Sequence, residues 1–281
     1  MTTVLTQIVV WLNQLAGACA AVSLAPLAVV PGWLSATAVA ALTGVLMLVA
    51  FKHTSNQAAV KQVRAAIKAN LLALALFKDS MAVSLKCQGR VLWGAGRLVL
   101  LALVPTAVMC VPTCLLLGQL ALWYQQRPLR VGEEAVVTAH LAPGRDGEAL
   151  DLRLAPSTAA KLIAGPVRVA KERMICWNVQ AQQPGYQRLS FTAAGQTFDK
   201  QLAVGDGFMR VSARRPAWRW DDAALWPGER PFSADSLVEA VEVAYPQRSS
   251  WTAGTDSWLV YWFAASMAVA FALRPVLKVD L

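Results

Sequence analysis

Two histidines, His53 and His140, are all the imidazole chemistry the chain offers, and they sit in different contexts. His53 ends an apolar run and His140 lies inside an alternating segment, so neither a metal cluster nor a Ser-His-Asp arrangement assembles around them. His140 reads as structural. Acids pair at Asp221 and Asp222, and at Asp146 and Glu148 in a turn, where such groups are ordinarily solvated. Cys110 and Cys114 are four apart on an apolar stretch and serve as small packing residues. Cys19 and Cys87 fall near apolar runs and Cys176 stands alone in the second half, which leaves no disulfide there and no zinc spacing. Gly89, Gly94 and Gly96 do not follow a strand, so they suit close helix packing better than a phosphate loop. The expectation is a chain that is not an enzyme and that needs no cofactor or metal.

What must be positioned, then, is surface rather than a reaction centre. The chain has 281 residues, 56% of them hydrophobic and only 15% charged. A bilayer core about 30 Å thick takes roughly 20 apolar residues of helix, because backbone amides in lipid are satisfied only within the segment. Leu34 to Phe51, Leu98 to Tyr124 and Trp258 to Leu273 meet this requirement. They predict membrane helices over 32–52, 98–125 and 254–274, the second kinked at Pro105 and Pro112. Trp33, Trp123, Tyr124, Trp258, Tyr261 and Trp262 fall at their ends, where aromatic belts anchor spans at the interface. Residues 4–30 are also apolar but include Gln7, Asn13, Gln14, Pro26 and Pro31. Gln7 and Gln14 share one helical face with Asn13 close by, and Ile8, Trp11, Leu12 and Leu15 form the other. Residues 1–31 therefore read as an interfacial helix, with a fourth span as the alternative. No positive region precedes the apolar run, which disfavours a cleavable signal peptide.

Between Lys52 and Arg97 lie eight Lys or Arg and one acid, Asp79, so residues 53–97 are expected in the cytoplasm, with 275–281 as a cytoplasmic tail. Residues 126–253 then face the periplasm or exterior of a multi-pass inner-membrane protein. Asn56 to Phe77 has apolar residues at Val60, Val63, Ile67, Leu71 and Leu74, with Lys61, Arg64 and Lys68 opposite, and Thr54 or Ser55 at its start as cap. With 80–97 it forms a basic helical hairpin, and Arg90 and Arg97 share a face as the second helix nears the membrane. Most of the net charge of +9 resides in this loop, which points to anionic lipid headgroups rather than nucleic acid. The hairpin either lies on the inner leaflet or acts as a mobile arm that meets a polypeptide.

After Tyr124 the text changes to short alternating runs: Ala135 to Leu141, Ala149 to Leu154, Met174 to Ala181, Gln187 to Ala193, Thr197 to Val204 and Val238 to Tyr245. Turn signals at Pro143-Gly144, Asp146-Gly147, Pro184-Gly185, Ala194-Gly195 and Gly205-Asp206 separate them. The fold class expected is an α-helical membrane protein with an inserted all-β, immunoglobulin-like sandwich. Tyr186, after a tight turn and before a strand, resembles a tyrosine corner, and Trp177 is placed as a core aromatic between sheets. Residues 206–236 break the strand pattern with Arg214, Arg215, Trp218, Arg219, Trp220 and Trp226. Tryptophan and arginine suit a protein contact, and equally a membrane surface.

The order of parts in residues 33–124 resembles the Oxa1/YidC superfamily of membrane insertases, with its short EMC3-like relatives. The run Leu103-Val104-Pro105-Thr106-Ala107-Val108-Met109-Cys110-Val111-Pro112, then Leu120-Ala121-Leu122-Trp123-Tyr124, looks like the proline-spaced span that follows that family's hairpin. The whole chain also resembles bacterial membrane proteins of no assigned function that share this layout. The resemblance implies insertion of client helices through a hydrophilic groove, with Arg90 or Arg97 as the groove charge and Lys61, Arg64 and Lys68 in the hairpin. This chain departs from the pattern: neither early span holds a charge, and a β domain precedes the last helix. The function expected from the residues themselves is a non-catalytic subunit or scaffold whose outer domain docks a protein partner in a membrane complex.

Overall fold

The computed structural model describes residues 2–24, 32–76, 81–143, 151–250, 252–254 and 257–277. The turns at Gly144 and Asp146-Gly147, the acid Glu148, the expected strand start at Ala149, and the tail beyond Leu277 lie outside them, as do Pro26, Pro31, Phe77 and Asp79.

Among the described residues the α-helices are α1 (Thr2–Leu24), α2 (Gly32–Thr54), α3 (Gln57–Leu76), α4 (Met81–Tyr124), the short α5 (Trp220–Leu225) and α6 (Trp258–Leu277). Segments of α1, α2, α4 and α6 are each long and apolar enough to cross a membrane. Ala and Leu dominate α2, and Lys52 and His53 in its last turn complement the helix dipole. The cap of α3 differs from the expectation. Thr54 belongs to α2 and its hydroxyl donates to the Ala50 carbonyl, so Asn56 caps instead, its Oδ1 accepting from the Ala59 N–H at 3.1 Å. The two helices expected over 80–97 and 98–125 are one helix of 44 residues with Pro105 and Pro112 inside it. At 1.5 Å per residue it extends about 66 Å, roughly twice a bilayer's apolar thickness.

Two compact units divide the chain: residues 37–114 with 262–281, and residues 1–36 with 115–261. The described part of the first is helical apart from Ser55 and Asn56. Within it Gly44 faces the Ser266 carbonyl so closely that any side chain there would collide with backbone, and Gly94 admits Ile67 of α3. Thr113 Oγ1 donates to Met47 Sδ at 3.5 Å. Along its long helices Leu42, Leu46, Leu100, Val104, Phe263 and Phe271 are all more than half exposed.

The second unit holds the strands β1 (Glu134–Leu141), β2 (Arg153–Leu154), β3 (Ala160–Val169), β4 (Met174–Ala181), β5 (Gly185–Ala193), β6 (Gln196–Val204), β7 (Arg214–Arg215) and β8 (Val238–Val243). One sheet runs β3-β4-β1-β8-β7 and the other β2-β5-β6, each pairing antiparallel. Alternation decides which face is buried. Val137, Ala139, Ile175, Trp177 and Val179 point inward from the first sheet, Leu189, Phe191 and Leu202 from the second, and all join one core. Trp177 meets Phe191 across it, ring centroids 5.2 Å apart, as expected of a core aromatic between sheets. The β5–β6 hairpin turns on Ala194 and Gly195, both at positive φ, the conformation that two-residue turns need.

β3 was not foreseen in the sequence. Its run Lys161-Leu162-Ile163-Ala164-Gly165-Pro166-Val167 shows no alternation, and the strand is an exposed edge with two register shifts against β4. Register shifts, a proline and a lysine are what edge strands use to avoid pairing further. Tyr186 also departs from the expected corner. Its hydroxyl accepts from the Arg210 N–H at 3.1 Å, far downstream, and half of the side chain is exposed. A tyrosine buried in the β core is Tyr245, just past β8, whose hydroxyl accepts from the Ala203 N–H at 2.8 Å.

Candidate functional site

Residues 206–236 form a long excursion between β6 and β8, and its polar groups are spent on holding it down. Lys200 on β6 is fully buried and its Nζ donates to Glu229 Oε1 and to the Ser212 carbonyl, the latter at 2.6 Å. Glu229 also accepts from Ser212 Oγ at 2.8 Å and from the Gln201 N–H at 2.9 Å. Burial pushes the Lys200 ammonium below its ordinary value while Glu229 pulls it back up. Arg215 stacks over Phe232 with its carbon 4.1 Å from the ring centroid, and Nη1 donates to the Asp199 carbonyl. Arg214 pairs with Asp222 at 3.2 Å and Glu242 at 3.8 Å. Asp222 additionally accepts from the Ala217 N–H at 2.7 Å.

The same excursion grips two helices of its own unit. Phe208 tilts against both Trp123 and Tyr124, centroids 5.5 and 5.2 Å away, and Val211 N–H donates to the Leu122 carbonyl at 2.7 Å. Arg248 caps the end of α4 by donating to the Trp123 carbonyl at 3.0 Å, with its guanidinium over Phe208. On the other side α5 packs on α1, where Asn13 Nδ2 donates to the Ala223 carbonyl at 2.7 Å. Thr6, Val10 and Asn13 form the buried side of α1, while Val4, Leu5, Ile8, Trp11 and Leu15 are exposed. Gln7 and Gln14 are exposed as well, so the buried polar line is Thr6–Asn13. Between α1 and residues 210–231 lies a cleft of about 230 Å³. Gln119 of α4, 4% exposed, lies beside Gly17, and neither of its amide atoms has a partner.

The residues expected as an outer contact surface therefore divide. Arg214 and Arg215 are partly buried in ion-pair and stacking contacts, and Trp226 packs against the core. Trp218 is half-buried, and Arg219 and Trp220 are exposed, Arg219 pairing with Asp221 at 2.6 Å. Of the expected interface aromatics, Trp33 is exposed, Tyr261 and Trp262 are half-buried, and Trp123, Tyr124 and Trp258 are buried. On the basic face Lys61, Lys68, Arg90 and Arg97 are exposed and Arg64 is half-buried. His140 lies 3.9 Å from Glu242 across neighbouring strands, in keeping with a structural role. Among the described residues no group of three His, Cys, Asp or Glu side chains could hold a metal. Asn13, Arg210, Lys200 and Glu229 were missed as a set, and only the i, i+7 spacing of Thr6 and Asn13 hinted at a polar side of α1 turned to protein.

No family model, curated protein or solved structure matches the chain.

Proposed function

We propose that this chain is an integral membrane protein acting as a non-catalytic subunit or scaffold, its β unit an immunoglobulin-like sandwich outside the cytoplasm that docks a protein partner. The observation that carries the reading is the outer face of the five-stranded sheet. In β1 and β3, Val136 is 45% and Val167 is 58% exposed, with Ala164, Cys176 and Met174 in the same or neighbouring rows. These residues share the face with Glu134, Thr138 and Asn178, and a mixed apolar and polar surface that its own core does not use suits a protein contact. Support for a firm platform comes from the bonds that join the excursion to the end of α4, which replace a flexible linker with backbone hydrogen bonds. Basic residues between α2 and the apolar part of α4 support a cytoplasmic α3, and the exposed apolar sides of the long helices support insertion.

The test is photocrosslinking in native membranes from Val136 and Val167. A single stoichiometric adduct is expected from both positions. A monodisperse monomer in gentle detergent, without an adduct from either, overturns the docking reading. Reporter fusions after Leu76 and after Gln247 check the orientation, the first expected inside and the second outside.

A second reading, an insertase-like assembly factor, is favoured by the pairing of α3 with α4. Val60 and Val63 are buried and Ile67 meets Gly94, which leaves Lys61 and Lys68 at the surface as a basic arm. Crosslinks from Arg64 and Arg97 to nascent membrane proteins distinguish it, since a docking subunit yields none.

A further inference from the structure

We propose that the cleft between α1 and residues 210–231 holds the headgroup of an anionic, hydroxyl-bearing phospholipid, its phosphate on arginine and its hydroxyl on Asn13. Arg210, Arg230, Asn13, Gln14, Gly17 and Gly228 are among the residues around the cleft. The acid in the lining, Glu229, is already engaged by Lys200, Ser212 and the Gln201 N–H. With that pair neutralised, two arginines set the charge. Arg210 is half-buried and gives one Nη2 to the Pro227 and Gly228 carbonyls, at 3.4 and 3.1 Å, and desolvation lowers its guanidinium below its ordinary value. Arg230 is exposed and makes no ion pair among the described residues. Guanidinium groups in such surroundings favour a phosphate oxyanion over water.

Asn13 supplies the second specificity. It is 7% exposed, its Nδ2 is used on the Ala223 carbonyl, and its Oδ1 has no partner. An acceptor left open and buried is costly until a donor arrives, and a headgroup hydroxyl provides one beside its own phosphate. The opposite side of α1 exposes Ile8, Trp11 and Leu15, an apolar surface along which acyl chains lie. One helix thus presents polar groups to a headgroup and apolar groups to its tails.

This inference rests on the membrane reading, and the experiment separates the two. Full-length protein is exchanged into nanodiscs of equimolar phosphatidylglycerol and phosphatidylcholine, and the lipids it retains are counted by native mass spectrometry. Wild type is expected to retain phosphatidylglycerol in roughly tenfold preference, and Arg230→Glu or Gln14→Trp is expected to reduce that preference about tenfold. Both substitutions are at exposed positions, so folding is preserved; circular dichroism checks it. Equal retention of the two lipids by wild type, or unchanged preference in both variants, overturns the proposal. Displacement of phosphatidylglycerol by millimolar inorganic phosphate also overturns it, because the site then belongs to free phosphate. Loss of the protein from carbonate-washed membranes defeats the membrane reading itself, whereas membrane retention without lipid preference defeats only this inference.

Discussion

In β1 and β4 the residues turned inward are Val137, Ala139, Ile175 and Trp177, and those turned outward include Glu134, Thr138, Asn178 and Gln180; in α1 the buried side carries Thr6 and Asn13 and the exposed side Ile8, Trp11 and Leu15. Both arrangements come from one chain and one set of propensities, so the difference lies in what each surface faces. A strand buries its apolar side because water lies on the other side. A helix that buries Thr6 and Asn13 and exposes Ile8, Trp11 and Leu15 would gain nothing from water on that exposed side and a good deal from lipid.

The comparison can be broken in several places. The largest effect is expected at the centre of the β core, where Trp177→Ala should cost about 3–5 kcal/mol; denaturant unfolding followed by near-ultraviolet circular dichroism measures it. Lys200→Ala should cost a similar amount, about 3–5 kcal/mol, because it leaves Glu229 without its buried partner. If the long helices face lipid, Val111→Arg, near the middle of the expected span, should lower insertion by about 2.5–3.5 kcal/mol in a translocation assay, while Val136→Arg, at a comparably exposed β position, should change β-unit stability by less than about 0.5 kcal/mol. Equal effects at the two exposed sites would erase the distinction. Asn13→Leu should loosen α1 from α5 by about 1–2 kcal/mol, read as faster amide exchange at Ala223 and its neighbours.

A smaller effect than that at the core concerns pH. Arg127 holds Glu133 at a pKa of about 2, well below its ordinary value of 4.5, through two hydrogen bonds of 2.7 and 2.8 Å. A carboxylate whose folded pKa is depressed adds stability that is fully present above pH 4.5 and is lost as pH falls toward about 2. Both side chains keep more than a quarter of their exposure, so screening limits the contribution to about 1 kcal/mol. Glu133→Gln should flatten that part of the thermal midpoint against pH.

Much of this architecture was written in local pattern. Met174–Ala181 is the strand its alternation describes, and β1, β5 and β6 differ from expectation by one or two residues at their starts. Alternation is legible because each residue reports its own side of the sheet. β3 was silent for the converse reason: exposed on both faces, it has no buried side to report. The Trp/Arg excursion was legible as unusual but not in its direction. Asn13 and Ala223 lie 210 positions apart, and no window of sequence carries that pairing. Lys200 and Glu229 were equally hidden, since a lysine inside an alternating strand looks solvated until something arrives to cover it.

Gly44 on α2 and Ser266 on α6 meet with no room for a side chain, yet the strands of the second unit lie between them in the polypeptide. At a synthesis rate of roughly 5–20 residues per second, α2 is made tens of seconds before its neighbour exists. During that interval the groove at Gly44 stands empty while all eight strands are being made. Pairing of these two helices therefore waits on synthesis of the β unit that lies between them in the chain. A chain cut short before α6 would leave the close backbone seat at Gly44 without the neighbour that fills it here.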